Sequence, residues 1–170
     1  MNTFKASTNR FILRTLIESD ATIEYLSWLS PESKLKFIEH KPKEISELVS
    51  YINQFKDNPL VYFLAIIDQQ SRQHIGNVKY IFKNNDFKEV EMGILIGNER
   101  YRGIGVAAEI IHYFADYSVK KFNTKIMTLG VDIKNTPAIK AYEKIGFKTK
   151  KMNPNVGIIM NWDLTELNKN

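Results

Sequence analysis

No cysteine occurs in this sequence, which excludes disulfides, thiolate metal sites and a cysteine nucleophile. Histidine is nearly as scarce: His40, His74 and His112 are scattered along the chain, so a histidine-based metal site is not expected. No apolar signal region opens the chain, and no uninterrupted apolar run approaches the ~18 residues of a membrane span. Linkers, repeats and low-complexity tracts are missing too. A single cytoplasmic domain over residues 1–170 is the expectation, and a hydrophobic content of 44% is enough for one core.

The net charge of +5 is modest and dispersed. Lys34, Lys36, Lys41 and Lys43 fall in one stretch, and Lys144, Lys148, Lys150 and Lys151 in another. Neither forms the basic stripe with a reading helix or aromatic platform that nucleic-acid binding requires. Neither nucleic acid nor membrane is therefore expected as a partner. The positive balance favours anionic, phosphate-bearing ligands.

Hydrophobic periodicity predicts strand 10–16, a helix carrying Ile23, Leu26, Trp28 and Leu29 capped by Ser19 or Asp20 and ended by Pro31, and helix 44–56. Strands 60–67, 75–82 and 88–96 follow with short polar connections, which suggests an antiparallel meander. Helix 106–121, strand 125–133, helix 136–145 closed by Gly146, and strands 147–151 and 156–164 complete the order. Such a mixture is α+β rather than a regular alternation.

The segment Arg100-Tyr101-Arg102-Gly103-Ile104-Gly105-Val106-Ala107 lies between a strand and a long helix. Two glycines at a helix start let the backbone turn tightly, and the free N–H groups of the first turn suit a phosphate. Gly103-x-Gly105-x-x-Ala108 also satisfies a permissive dinucleotide fingerprint, with Asp132 near the acidic offset of such sites. Gly97 to Arg102 intervenes between strand and first glycine, however, and too little chain follows for repeated βαβ units.

Arg100-x-x-Gly103-x-Gly105 resembles the pyrophosphate signature of the GNAT superfamily of acetyl-CoA-dependent N-acetyltransferases. Asn135 to Phe147, with Asn135, Tyr142 and the closing Lys144-Ile145-Gly146-Phe147, is similar to the second element of that family. Leu13-Arg14 with Asp20, and His74-Ile75-Gly76-Asn77, resemble its ribosomal-protein and small-molecule branch.

The resemblance implies a mixed sheet of about seven strands flanked by helices, with a splayed strand pair holding CoA. It implies direct transfer of acetyl from acetyl-CoA to a primary amine in a ternary complex, without metal. Gly103, Ile104, Gly105, Val106 and Ala107 would meet the pyrophosphate, assisted by Arg100 and Arg102. Ile94, Leu95 and Ile96 would pair with the pantetheine arm, and Gly97 would mark the splay. Ala138 joins Asn135 on the cofactor side, and Asn135 is equally suited to cap its helix. Lys144 could meet a CoA phosphate or stand in solvent.

Tyr142 is the candidate general acid, a phenol near pKa 10 being matched to an alkyl thiol; its alternative is helix packing beside Ile139 and Phe147. Glu91 is the candidate base, its alternative an exposed strand glutamate, with Glu89 and Glu109 as weaker candidates. His74 reads as structural, and His112 lies on the outer side of its helix.

Tyr25, Trp28, His40 and Tyr51 are the candidate acceptor-pocket residues. An amino-sugar nucleotide or a protein N-terminus is the expected acceptor, and a homodimer is the assembly the resemblance suggests. The contrasting reading is a non-catalytic acyl-CoA-binding module of the same fold.

Overall fold

A computed structural model describes residues 3–30, 41–153 and 157–169. Eight strands and four α-helices are found among them. The strands are β1 (Lys5–Ser7), β2 (Phe11–Thr15), β3 (Val61–Asp68), β4 (His74–Phe82), β5 (Glu89–Ile96), β6 (Ile126–Val131), β7 (Lys148–Asn153) and β8 (Gly157–Asp163). The helices are α1 (Ile23–Trp28), α2 (Ile45–Asn53), α3 (Val106–Phe122) and α4 (Thr136–Ile145). The strands form one mixed sheet in the order β1-β2-β3-β4-β5-β6-β8-β7.

The eighth strand, β1, went unpredicted because Lys5-Ala6-Ser7 carries no apolar alternation. It exists by pairing antiparallel with β2, Lys5 opposite Arg14 and Ser7 opposite Ile12. The chain divides into two compact units, one of Met1–Lys79 with Ile94–Ile104 and the other of Tyr80–Gly93 with Gly105–Asn170.

In the first unit β2 and β3 pair antiparallel, with Leu13 opposite Ile66. Phe63, Ala65 and Ile67 alternate along β3 onto one face and pack with Leu16, Tyr25, Trp28, Leu29, Leu48 and Ile52, the last five from α1, its C-cap and α2. Each buried leucine, isoleucine or phenylalanine side chain among them contributes about 1.5–3 kcal/mol.

The cap of α1 differs from expectation. Thr22 accepts from Tyr25 N at 3.1 Å, while Ser19 and Asp20 lie in the preceding 3₁₀ turn. Asp20 is drawn instead to Arg14, whose guanidinium grips both carboxylate oxygens at 2.7 and 2.6 Å, and it also accepts from Ile17 N at 2.8 Å. A charged bidentate partner outcompetes a capping role. The predicted stop at Pro31 lies outside the described residues; α1 ends at Trp28.

Burial works against the Asp20 carboxylate, but the Arg14 and Ile17 hydrogen bonds more than offset it and lower its pKa. A lowered carboxyl pKa stabilises the fold above the ordinary carboxylate range, an advantage lost as pH falls through the folded value. Asp20→Asn should therefore cost about 2 kcal/mol in urea unfolding at pH 7. The difference from wild type should narrow progressively below about pH 4. A gap independent of pH would remove the ion pair from this account.

In the second unit α3 lays Val106, Ile110, Ile111, Phe114, Ala115 and Val119 into the core. Phe114 stacks on Tyr80 with ring centroids 3.6 Å apart, and Tyr80 Oη donates to Ile110 O at 3.5 Å. Registered parallel pairing of β5 with β6 covers Glu89–Glu91 against Ile126–Thr128. β8 then inserts antiparallel between β6 and β7. No helix among the described residues is long and apolar enough to cross a membrane.

Candidate acetyl-transfer site

The turn before α3 is built from short-range constraints. Asn98 accepts from Arg100 N through its side chain at 3.1 Å, which starts the 3₁₀ turn Glu99–Tyr101. Gly103 and Gly105 then adopt φ of 72° and 80°, the left-handed region where a Cβ is costly. A Cβ at Gly103 would meet no atom within 4 Å, so the backbone there faces open space. Gly105 is the N-cap of α3 and has no side chain to cover the helix N–H groups. These donors and the positive end of the helix dipole are suited to an anion.

The two arginines have different situations. Arg100 is exposed. Arg102 is committed to the backbone: Nε donates to Ile96 O at 2.9 Å and Nη2 to Gly97 O at 2.8 Å. Its guanidinium ties the turn to the end of β5. Arg10, unnoticed in the sequence because 94 residues separate it from its partner, donates from Nη1 to Ile104 O at 3.1 Å and steadies the same turn.

Ile75 O accepts from both Gly97 N and Asn98 N, at 3.0 and 3.1 Å. Two successive donors on one carbonyl define a bulge, so the chain is irregular at the glycine after β5, on the side that faces β4. Trp28 occupies the space a side chain at Gly97 would take. Ile94, Leu95 and Ile96 just before it are half-buried.

Tyr142 is half-buried on α4, its ring edge-on to Phe147 at 5.9 Å. Burial pushes its pKa up to about 12. Its hydroxyl has no hydrogen-bond partner among the described residues. Glu91, in the same unit, is exposed while Val90 and Met92 are buried, the alternation of a strand with one face in the core. Asn135 accepts from Ala138 N at 3.4 Å as the N-cap of α4, the capping half of its two readings. Lys144 is exposed. His112 is exposed, edge-on to Trp162, and partial burial lowers its pKa.

Of the acceptor-pocket candidates, Tyr25 and Trp28 lie together, 5.5 Å apart, and His40 lies outside the described residues. Desolvation raises the Tyr25 pKa, reinforced by Tyr51 and Asp20. His74, expected to be structural, sits edge-on to Tyr25 and Trp28 and bonds Asn77 Oδ1 through Nε2 at 2.8 Å. Tyr51 on α2 receives a hydrogen bond from Lys79 Nζ at 2.7 Å. Lys79 was overlooked, although a lysine between Val78 and Tyr80 in an apolar strand is itself a signal. No group of acidic or histidine side chains that could hold a metal ion is found among the described residues.

The sequence model described as an acetyltransferase (GNAT) domain matches residues 10–148. The chain belongs to this family and is an acetyl-CoA-dependent N-acetyltransferase. An uncharacterized N-acetyltransferase, p20 of Bacillus licheniformis, is 23% identical over 145 residues, 83% of this chain and 80% of that protein.

Solved structures with the same fold include a chimera of the Vibrio cholerae spermidine N-acetyltransferase and hSSAT. It has a TM-score of 0.78 and 23% identity, with 95% of this chain and 100% of that one covered. A putative ribosomal-protein-serine acetyltransferase from Vibrio cholerae has a TM-score of 0.73 and 17% identity, with 94% and 97% covered. At these identities the likeness establishes fold, and the acceptor has to be argued from this chain's own residues.

Proposed function

We infer that the chain transfers acetyl directly to the nitrogen of a primary amine, with both substrates bound together. The acceptor is a small molecule such as an amino-sugar nucleotide, or a protein N-terminus. The observation that carries the donor side is the left-handed Gly103 and Gly105 before an uncapped α3. In this reading Ile104, Val106 and Ala107 present N–H groups alongside those of the two glycines, with the exposed Arg100 adding positive charge. Arg102 holds the turn in place. Bound acetyl-CoA supplies the thioester carbon and a thiol leaving group.

The residues then have separable tasks. Backbone N–H groups of Ile94 to Ile96 orient the pantetheine arm and donate toward the oxygen that gains charge. Glu91 takes the proton from the acceptor ammonium, directly or through water, so that nitrogen has a lone pair. Tyr142 donates its hydroxyl proton to the departing sulfur. A pKa of about 12 keeps that proton in place across the physiological range. It also makes the phenol a weaker acid than at the ordinary value near 10 that matched it to an alkyl thiol. Asn135 and Ala138 hold the start of α4, and Lys144 offers a charge to a CoA phosphate.

The test is acetyl-CoA-dependent release of free CoA across an amine panel of amino-sugar nucleotides, peptide N-termini and polyamines. Turnover with at least one primary amine is the expected result. Acetyl-CoA binding with no turnover on any amine would overturn direct transfer. Gly103→Asp tests the donor cradle separately, because aspartate tolerates the left-handed region and has room there. It should raise KM for acetyl-CoA at least ~10-fold by placing a carboxylate against phosphate, with Tm nearly unchanged.

A further inference from the structure

One face of β4 carries a buried hydrogen-bond donor with no acceptor among the described residues, and beside it a lysine with no carboxylate partner there. Asn77 is 3% exposed, and its Oδ1 is taken by His74 Nε2; an amide oxygen only accepts, so the imidazole donates. Asn77 Nδ2 is left with no partner among the described residues. A buried donor in that state is costly, and such groups are normally satisfied by water or a ligand.

Two residues on, and therefore on the same face of the strand, stands Lys79. Its ammonium donates to Tyr51 Oη and lies 5.0, 4.4 and 5.5 Å from the ring centroids of Tyr51, Phe55 and Phe63. The three rings are mutually edge-on at 5.4 to 5.6 Å and form a cage. Ring faces hold a cation in position without neutralising it. Among the described residues no carboxylate pairs with Lys79.

Building on the amine-acetylation reading, we propose that Asn77 and Lys79 form an acceptor subsite for an anionic group, a carboxylate or a phosphate, on the same molecule as the reacting amine. Two donors and one uncompensated positive charge call for a ligand rich in acceptor oxygens. The position suits the task. Tyr51, Phe55 and Leu95 all pack against the cluster formed by Tyr25, Trp28 and Phe63, so the cage adjoins the strand assigned to the donor's pantetheine arm.

The same arrangement selects against polycations. An aromatic cage is a good receptor for an alkylammonium, but here the protein's own lysine fills it. A second ammonium brought to this face meets repulsion from a half-buried charge, which is only partly screened. Spermidine is therefore a poor acceptor for this chain despite the shared fold.

The experiment is steady-state kinetics of the full chain with an amino-sugar nucleotide, an amino acid, a neutral-bodied monoamine and spermidine. Lys79→Met fits the apolar cage, Lys79→Arg keeps the charge, and Lys79→Glu reverses it. In wild type, kcat/KM for an anionic amine should exceed that for spermidine at least ~10-fold. Lys79→Met should raise KM for anionic amines ~10- to 100-fold while KM for acetyl-CoA and for the monoamine changes less than about twofold.

Lys79→Arg should stay close to wild type, and Lys79→Glu should move preference toward spermidine. The amino-sugar nucleotide and amino-acid arms identify whether phosphate or carboxylate is read. Equal losses on every amine, or a wild-type preference for spermidine, would overturn the subsite.

If no amine is acetylated, the transfer reading fails by itself. The subsite is then judged by calorimetric binding of UDP and of glutamate with CoA saturating. Binding that weakens in Lys79→Met supports it; equal binding, or none, overturns it.

Discussion

Tyr142→Phe should lower kcat at least about 100-fold while acetyl-CoA affinity stays within about twofold. The substitution keeps the ring that packs on Phe147 and removes only a hydroxyl with no hydrogen-bond partner among the described residues. Little stability is at stake, so the change isolates the proton. Without a proton donor the sulfur must depart as a thiolate anion, and that raises the barrier. The pKa of about 12 adds a pH signature: wild-type kcat should show no basic limb from this residue below about pH 11. Stopped-flow CoA release under saturating acetyl-CoA reads both. An unchanged kcat in Tyr142→Phe would remove the tyrosine from the chemistry.

Gly97→Ala should cost about 3 kcal/mol or more in urea unfolding, far above a typical glycine-to-alanine change. A Cβ at Gly97 would fall 1.9 Å from Trp28 Cδ2, inside the indole ring rather than at the end of a flexible side chain. Trp28 is 7% exposed and held by Tyr25 and His74, so it has nowhere to retreat. The bulge on Ile75 O should be disturbed as well, which predicts a higher KM for acetyl-CoA in whatever folded protein remains. A double-mutant cycle checks the cause: Trp28→Leu removes the clash, so the pair should be less destabilised than the sum of the single changes. Simple additivity would mean that the glycine is needed for another reason.

The legible parts of this fold were those set by near neighbours in sequence. The predicted bounds of α4 agree with the structure because Asn135 and Gly146 act as its caps through local geometry. The start of α3 was legible for the same reason, and β3 was visible as an unbroken apolar run. Three readings went differently. β1 lacked any pattern because its stability comes from β2 rather than from its own side chains. Asp20 looked like a cap because capping is a local habit, yet Arg14 reaches it through space. Arg102 was read as a phosphate ligand from its neighbours, while its guanidinium is engaged by the carbonyls of Ile96 and Gly97.

The donor side belongs to the sequence by itself. Glycines that must take positive φ, followed at once by a helix, define an anion cradle through steric rules acting over a few residues. The features on which the proposed acceptor subsite rests were decided by tertiary structure. In sequence, His74 and Asn77 belong to a stretch that resembles one branch of the family, and Lys79 interrupts an apolar strand. Their surroundings exist only because α1 brings Tyr25 and Trp28 to the imidazole and α2 brings Tyr51 and Phe55 to the ammonium. Periodicity states which face a side chain takes. Only packing between elements distant in sequence determines what meets it there, and thus whether its charge and donors are left for a substrate.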